Sequence, residues 1–217
     1  MSSEQGMDGA ASPGLVVQRL TFGWPGTRVC TDWSHVFAPG LTVVVAEDGA
    51  GKTTLLRLLA AELKPEAGQL TLPGCPAWPE PEAYRQQVFW CDPASDVHDL
   101  LSGHGYLQLR RRAHARWDDG VCDDVLAHLE LTDHLAKPLH GLSAGMRRKL
   151  RMAAAFASGA PLTLLDMPFA ALDRRSCAQV TELLQAASQA DHRVVVATGY
   201  EPPDGVTAAS VLNWPCV

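Results

Sequence analysis

Leu41-Thr-Val-Val-Val-Ala46, followed by Glu47-Asp48-Gly49-Ala50-Gly51-Lys52-Thr53-Thr54, is the stretch that decides the fold. The first six residues are apolar and β-branched, which predicts a buried parallel strand. Beyond the glycines, Leu55, Leu56, Leu58, Leu59 and Leu63 recur at helical spacing. Residues 41–63 therefore read as strand, glycine loop, helix. The loop matches the pattern G-x-x-x-x-G-K-[ST], with Ala46 in the first glycine position. Glycines let successive backbone N–H groups turn inward around phosphate oxygens. The helix N-terminus behind them favours an anion. In this reading Asp48, Gly49, Ala50, Gly51, Lys52, Thr53 and Thr54 hold a nucleotide triphosphate. Lys52 reaches the terminal phosphates, and Thr53 offers its hydroxyl to Mg²⁺. The Cβ of Ala46 is expected to restrict the backbone where the strand ends.

Outward from this unit, strands alternate with helices. Leu15–Phe22, Arg28–Phe37, Gln69–Leu72, Gln87–Cys91, Leu162–Asp166, His192–Thr198 and Ser210–Trp214 read as strands. Trp24-Pro25-Gly26 reads as a turn. A helical pattern runs over Val97–Leu131, again over Gly145–Ser158, and again over Arg174–Ala190. The pattern predicts an α/β fold with a mostly parallel sheet and helices on its faces.

The 217 residues suit one domain, 14–217, with a helical subdomain at about 93–158. Residues 1–13 read as a disordered tail without signal-peptide character. The longest uncharged runs, Trp33–Ala46 and Met152–Leu165, are broken by Pro and Gly, so direct membrane insertion is not expected. A net charge of −6 speaks against nucleic acid as the main partner. The six cysteines are scattered without zinc spacing, as expected for reduced thiols in a cytoplasmic protein. The basic run Arg147-Arg148-Lys149 reads most simply as a solvated helix face.

A second carboxylate follows from Leu162-Thr-Leu-Leu-Asp166, an apolar strand ending in an acid. Such an Asp orients Mg²⁺ in P-loop enzymes. Its neighbours are Leu142-Ser143-Ala144-Gly145-Met146 upstream and Pro168-Phe-Ala-Ala-Leu-Asp173 downstream. Together these segments resemble the ATP-binding cassette family, the ATPase subunits of ABC transporters. LSAGM is similar to that family's LSGGQ signature, and LTLLDMPFAALD to its Walker B and D-loop. Leu20–Gly26 resembles the family's A-loop, with Trp24 at the adenine-stacking place.

The resemblance implies the ABC-type P-loop core, with an N-terminal antiparallel β subdomain and an inserted helical subdomain. It also implies ATP and Mg²⁺ as cofactors and a head-to-tail homodimer or heterodimer. In that dimer Ser143, Ala144 and Gly145 of one cassette face the ATP held by Lys52 of the other. The permease is a separate transmembrane subunit, and the cassette is peripheral on the inner face of the membrane. The metal set is Thr53, Asp166 and Asp92.

Three positions depart from the family. Met167 stands where a water-polarising Glu is usual. Asp92 takes the Q-loop position, and Gly199 replaces the switch histidine. Slow or absent turnover is therefore expected. The alternative is a regulatory cassette that hydrolyses very slowly or not at all, paired with an active partner. Chromosome-organising cassettes carry long coiled-coil insertions that this chain lacks. A generic P-loop kinase leaves LSAGM unexplained.

Overall fold

A computed structural model describes residues 14–90, 92–206 and 210–215. The tail expected over residues 1–13, and Cys91 and Cys216, lie outside the described residues. In chain order the elements begin with β1 (Leu15–Trp24), β2 (Thr27–Phe37), β3 (Gly40–Val45), α1 (Lys52–Leu59), β4 (Ala67–Leu72), β5 (Cys75–Pro76), α2 (Pro81–Arg85) and β6 (Val88–Phe89). They continue with α3 (Gly103–Ala113), α4 (Asp119–His128), α5 (Ala144–Ala157), β7 (Leu162–Leu165), α6 (Arg174–Ser188), β8 (Val194–Gly199) and β9 (Ser210–Asn213).

Two sheets result. One is antiparallel, in the order β2-β1-β4-β5. The other has the order β6-β7-β8-β3-β9, and its pairings are parallel. Alternate residues of the parallel strands enter different cores, as a pleat requires. Val44, Leu164 and Val196 face α1 and the antiparallel sheet. Val43, Leu165 and Val195 face the layer of α3 to α6. Helix α1 has only eight residues, too few to be stable alone. Leu55, Leu56, Leu58 and Leu59 are fully buried beneath it. At about 2 kcal/mol each, that burial fixes the helix on the sheet.

Two expectations are corrected in detail. Within the stretch expected as a strand over Gln87–Cys91, Val88 and Phe89 pair with β7 and the Gln87 carbonyl accepts from Leu162 N at 3.1 Å, while Cys91 lies outside the described residues. Beyond β6 the Trp90 carbonyl accepts from the Arg110 guanidinium at 2.9 Å. The long helical pattern of Val97–Leu131 is two helices. Each starts at its own cap: Ser102 Oγ accepts from Gly105 N at 3.1 Å, and Asp118 Oδ1 accepts from Val121 N at 3.0 Å. Among the described residues, no helix is long and apolar enough to cross a membrane.

Candidate nucleotide site

The sheet order builds the site. Strand β8 lies between β7 and β3, so their carboxyl ends deliver Asp166, Thr198 and the glycine loop side by side. Crevices at the carboxyl ends of parallel strands are where ligands bind in such folds. Here the crevice has a volume of about 510 Å³. Its lining includes Glu47, Asp48, Gly49, Gly51, Lys52, Thr53 and Thr54, with Asp166, Met167 and Tyr200 opposite.

Gly49 and Gly51 have φ of 76° and 89°, the left-handed region that residues with a Cβ resist. Gly51 is the N-cap of α1. Ala46, by contrast, is not among the left-handed residues. Its Cβ packs in the core and its amide donates to the Gly199 carbonyl at 3.1 Å, so alanine fits there without strain. Lys52 is 7% exposed, and its Nζ donates to the carbonyls of Ala46 at 2.8 Å and Glu47 at 3.0 Å. Trp214 Nε1 donates to the Ala50 carbonyl at 3.0 Å, bracing the loop from β9. That brace was not foreseen from the sequence. An aromatic at the end of the last strand was its only signal.

Asp166 is held from both sides. Thr53 Oγ1 donates to its Oδ2 at 2.6 Å, and Thr198 Oγ1 donates to its Oδ1 at 2.7 Å. Thr198 Oγ1 in turn accepts from the Met167 amide at 2.9 Å. A hydroxyl and a carboxylate in contact beside a phosphate loop are hard oxygen donors suited to Mg²⁺. Among the described residues, no group of three or more His, Cys, Asp or Glu side chains can hold a metal ion. Trp24 stands at the α1 end of the loop, 44% exposed, with Nε1 3.3 Å from Thr54 Oγ1. Its ring lies perpendicular to that of Phe22, with centroids 5.3 Å apart, and a large, partly exposed aromatic ring suits stacking on a base.

Beyond Asp166 the opposite wall continues with Met167 and, past Thr198, with Gly199. Met167, with φ of 48°, lines the crevice where its thioether can only weakly accept. Gly199 makes a tight turn: a Cβ built on it would stand 3.0 Å from the Glu201 carbonyl oxygen. Asp92 turns its Oδ1 to the Ala94 amide at 2.8 Å, and its neighbour Pro93 lines the crevice instead. Tyr200 lies over Lys52, 4.5 Å from Nζ to ring centroid, with its hydroxyl donating to Asp48 Oδ1 at 2.7 Å. That hydrogen bond raises the phenol above its ordinary pKa.

The signature residues sit elsewhere on the same chain. Ser143 caps α5, accepting from Met146 N at 3.1 Å, and is exposed together with Ala144. A Cβ on Gly145 would meet the Ala171 carbonyl oxygen at 2.6 Å, so only glycine lets α5 approach that loop. The basic run is not a solvated face. Arg147 donates to the Leu142 carbonyl at 2.8 Å, Arg148 to the Ala170 carbonyl, and Lys149 to Ser176 Oγ at 3.3 Å. Arg151 donates to the carbonyls of Pro93 and Ser95 at 2.8 and 3.1 Å. Burial lowers the Arg148 pKa. Helix α5 thereby ties together the loops around the crevice.

Strand, glycine loop and helix, with a second strand bringing a carboxylate to the loop hydroxyl, define a P-loop nucleotide-binding protein. The ABC transporter family model matches residues 35–170. The cytochrome c biogenesis ATP-binding export protein CcmA of Pseudomonas savastanoi pv. phaseolicola is 35% identical over 155 residues, 71% of this chain and 73% of that protein. Its Escherichia coli K12 counterpart is 30% identical over 159 residues, 73% and 75% of the two chains. This chain belongs to the ABC transporter family, as an ATP-binding subunit. The fold agrees with a putative ABC transporter ATP-binding protein from Pyrococcus furiosus. That structure has a TM-score of 0.74 at 23% identity, covering 91% of this chain and 96% of that one.

Proposed function

We propose that the chain binds MgATP between its own glycine loop and the signature of a second cassette, and holds it with little or no hydrolysis. Lys52 and the amides of the loop would take the phosphates, Trp24 the adenine, and Thr53 with Asp166 the Mg²⁺. The ion neutralises phosphate charge when bound. The exposed, Ser143-capped N-terminus of α5 presents donors away from the chain's own crevice, which supports completion of the site by a second copy or a related cassette.

The observation that carries the slow-turnover reading is Met167. It stands immediately beyond the doubly held Asp166, where a base is needed to polarise water. Loss of a general base costs about 10²–10⁴ in rate. Gly199 offers no side chain beside it, and Asp92 is engaged in its own turn.

The permease would be a separate polypeptide, met by the helical stretch between β6 and β7 on the inner face of the membrane. Affinity-tagged chain should co-purify with a membrane subunit encoded beside it, and loss of that association on repeated trials would count against this partner. Export, the direction in the relatives' names, is the starting direction for a transport assay in vesicles. Binding and phosphate release, measured together on the purified cassette, test the retention of ATP.

A further inference from the structure

Tyr200 follows the tight Gly199 turn at the end of β8 and reaches across the crevice to the glycine loop. Lys52 Nζ has three N–H donors. Two point to the carbonyls of Ala46 and Glu47. The remaining side of the ammonium faces the Tyr200 ring at 4.5 Å and the Asp48 carboxylate at 3.7 Å. The Tyr200 hydroxyl is fastened to that same carboxylate at 2.7 Å. Ring and carboxylate thus cover the ammonium that a terminal phosphate needs.

Resting on the nucleotide-binding reading above, we propose that Tyr200 is a gate on the terminal-phosphate seat. It competes with the γ-phosphate for Lys52 and so sets the preference of the site for ATP over ADP. The β-phosphate can draw on the loop amides as well as on Lys52. The γ-phosphate depends on Lys52 and must displace the ring. The phenol is neutral at physiological pH, its ionisation opposed by Asp48, so it gives up a hydrogen bond and a cation–π contact and no charge.

Calorimetric titration with MgATP and with MgADP on wild type, Tyr200→Phe and Tyr200→Ala tests the gate. Tyr200→Ala should bind ATP about three- to tenfold more tightly, the range of one exposed cation–π contact with its hydrogen bond. ADP affinity should change less than about twofold. Tyr200→Phe keeps the ring but loses the hold on Asp48, and should fall between. A second readout uses 3-fluorotyrosine. The chain has three tyrosines, and Tyr84 and Tyr106 are fully buried. The exposed Tyr200 fluorine resonance should shift with MgATP more than with MgADP. Unchanged or weakened ATP binding by Tyr200→Ala overturns the gate, the weakened case marking Tyr200 as a ligand instead. If wild type binds ATP and Lys52→Ala does not, that failure is confined to the gate. If wild type binds no ATP, the nucleotide reading and the gate fall together.

Discussion

The two walls of the crevice are built to different standards. On the β3–α1 wall each group finds a defined partner: Gly49 and Gly51 turn the backbone, Lys52 is seated on two carbonyls, and Trp214 braces Ala50. On the β7–β8 wall the part proposed to face the metal is equally firm, with Asp166 held by two threonine hydroxyls. One residue further along each strand stand Met167 and Gly199, the positions to which the proposed function assigns the handling of water. Binding and hydrolysis draw on different residues of the same strands, so one can be kept while the other is lost.

The largest effect should come from rebuilding the poor wall. Met167→Glu combined with Gly199→His should raise phosphate release by about 10²-fold or more. Glutamate in place of methionine adds no backbone cost, because both carry a Cβ at the same positive φ. Gly199→His requires the Glu201 carbonyl to give by a few tenths of an ångström, so its thermal midpoint should be checked alongside. No increase in a folded double variant would mean that the defect lies elsewhere in the site.

Breaking the firm wall comes next. Lys52→Ala should weaken MgATP binding tenfold or more, since a charge-assisted contact contributes about 1.5–3 kcal/mol. Unchanged affinity in a calorimetric titration would remove the phosphate-loop assignment.

A smaller change should follow Asp166→Asn. The gain in ATP affinity on adding Mg²⁺ should shrink to about onefold, while metal-free ATP binding stays within about threefold of wild type. A full Mg²⁺ effect in Asp166→Asn would place the ion on other oxygens.

The smallest effect sits at the adenine end. ATP should change the fluorescence of wild type more than that of Trp24→Phe. Trp214 touches the loop as well, so the contrast is sharper in a Trp214→Phe background. Equal signals with and without Trp24 would make it a turn residue only.

What the sequence made legible was local. The apolar run before the glycines and the leucines after them placed strand and helix at the loop. The order of LSAGM, LTLLD and the final β-branched strand placed the remaining parts. Contacts between distant segments were not legible. Tyr200 over Lys52 and Trp214 on Ala50 join residues far apart in the chain, and no periodicity encodes them. Polar residues on α5 looked like a solvated face because spacing cannot tell water from a loop carbonyl. Strand β6 is short, and an arginine side chain takes the Trp90 carbonyl just beyond it, a contact no spacing encodes. Ala46 fits the first glycine position because its backbone there is not left-handed, which the residue type alone does not reveal.

The most direct test of this separation is to measure bound ATP and released phosphate in one sample of wild-type protein with Mg²⁺, using Lys52→Ala as the blank. The account predicts ATP bound to most cassettes, with phosphate release at or near the blank. Brisk release above the blank would contradict it, and would point to a base away from Met167, with Asp92, Asp173 and Glu201 as the nearest carboxylates in sequence.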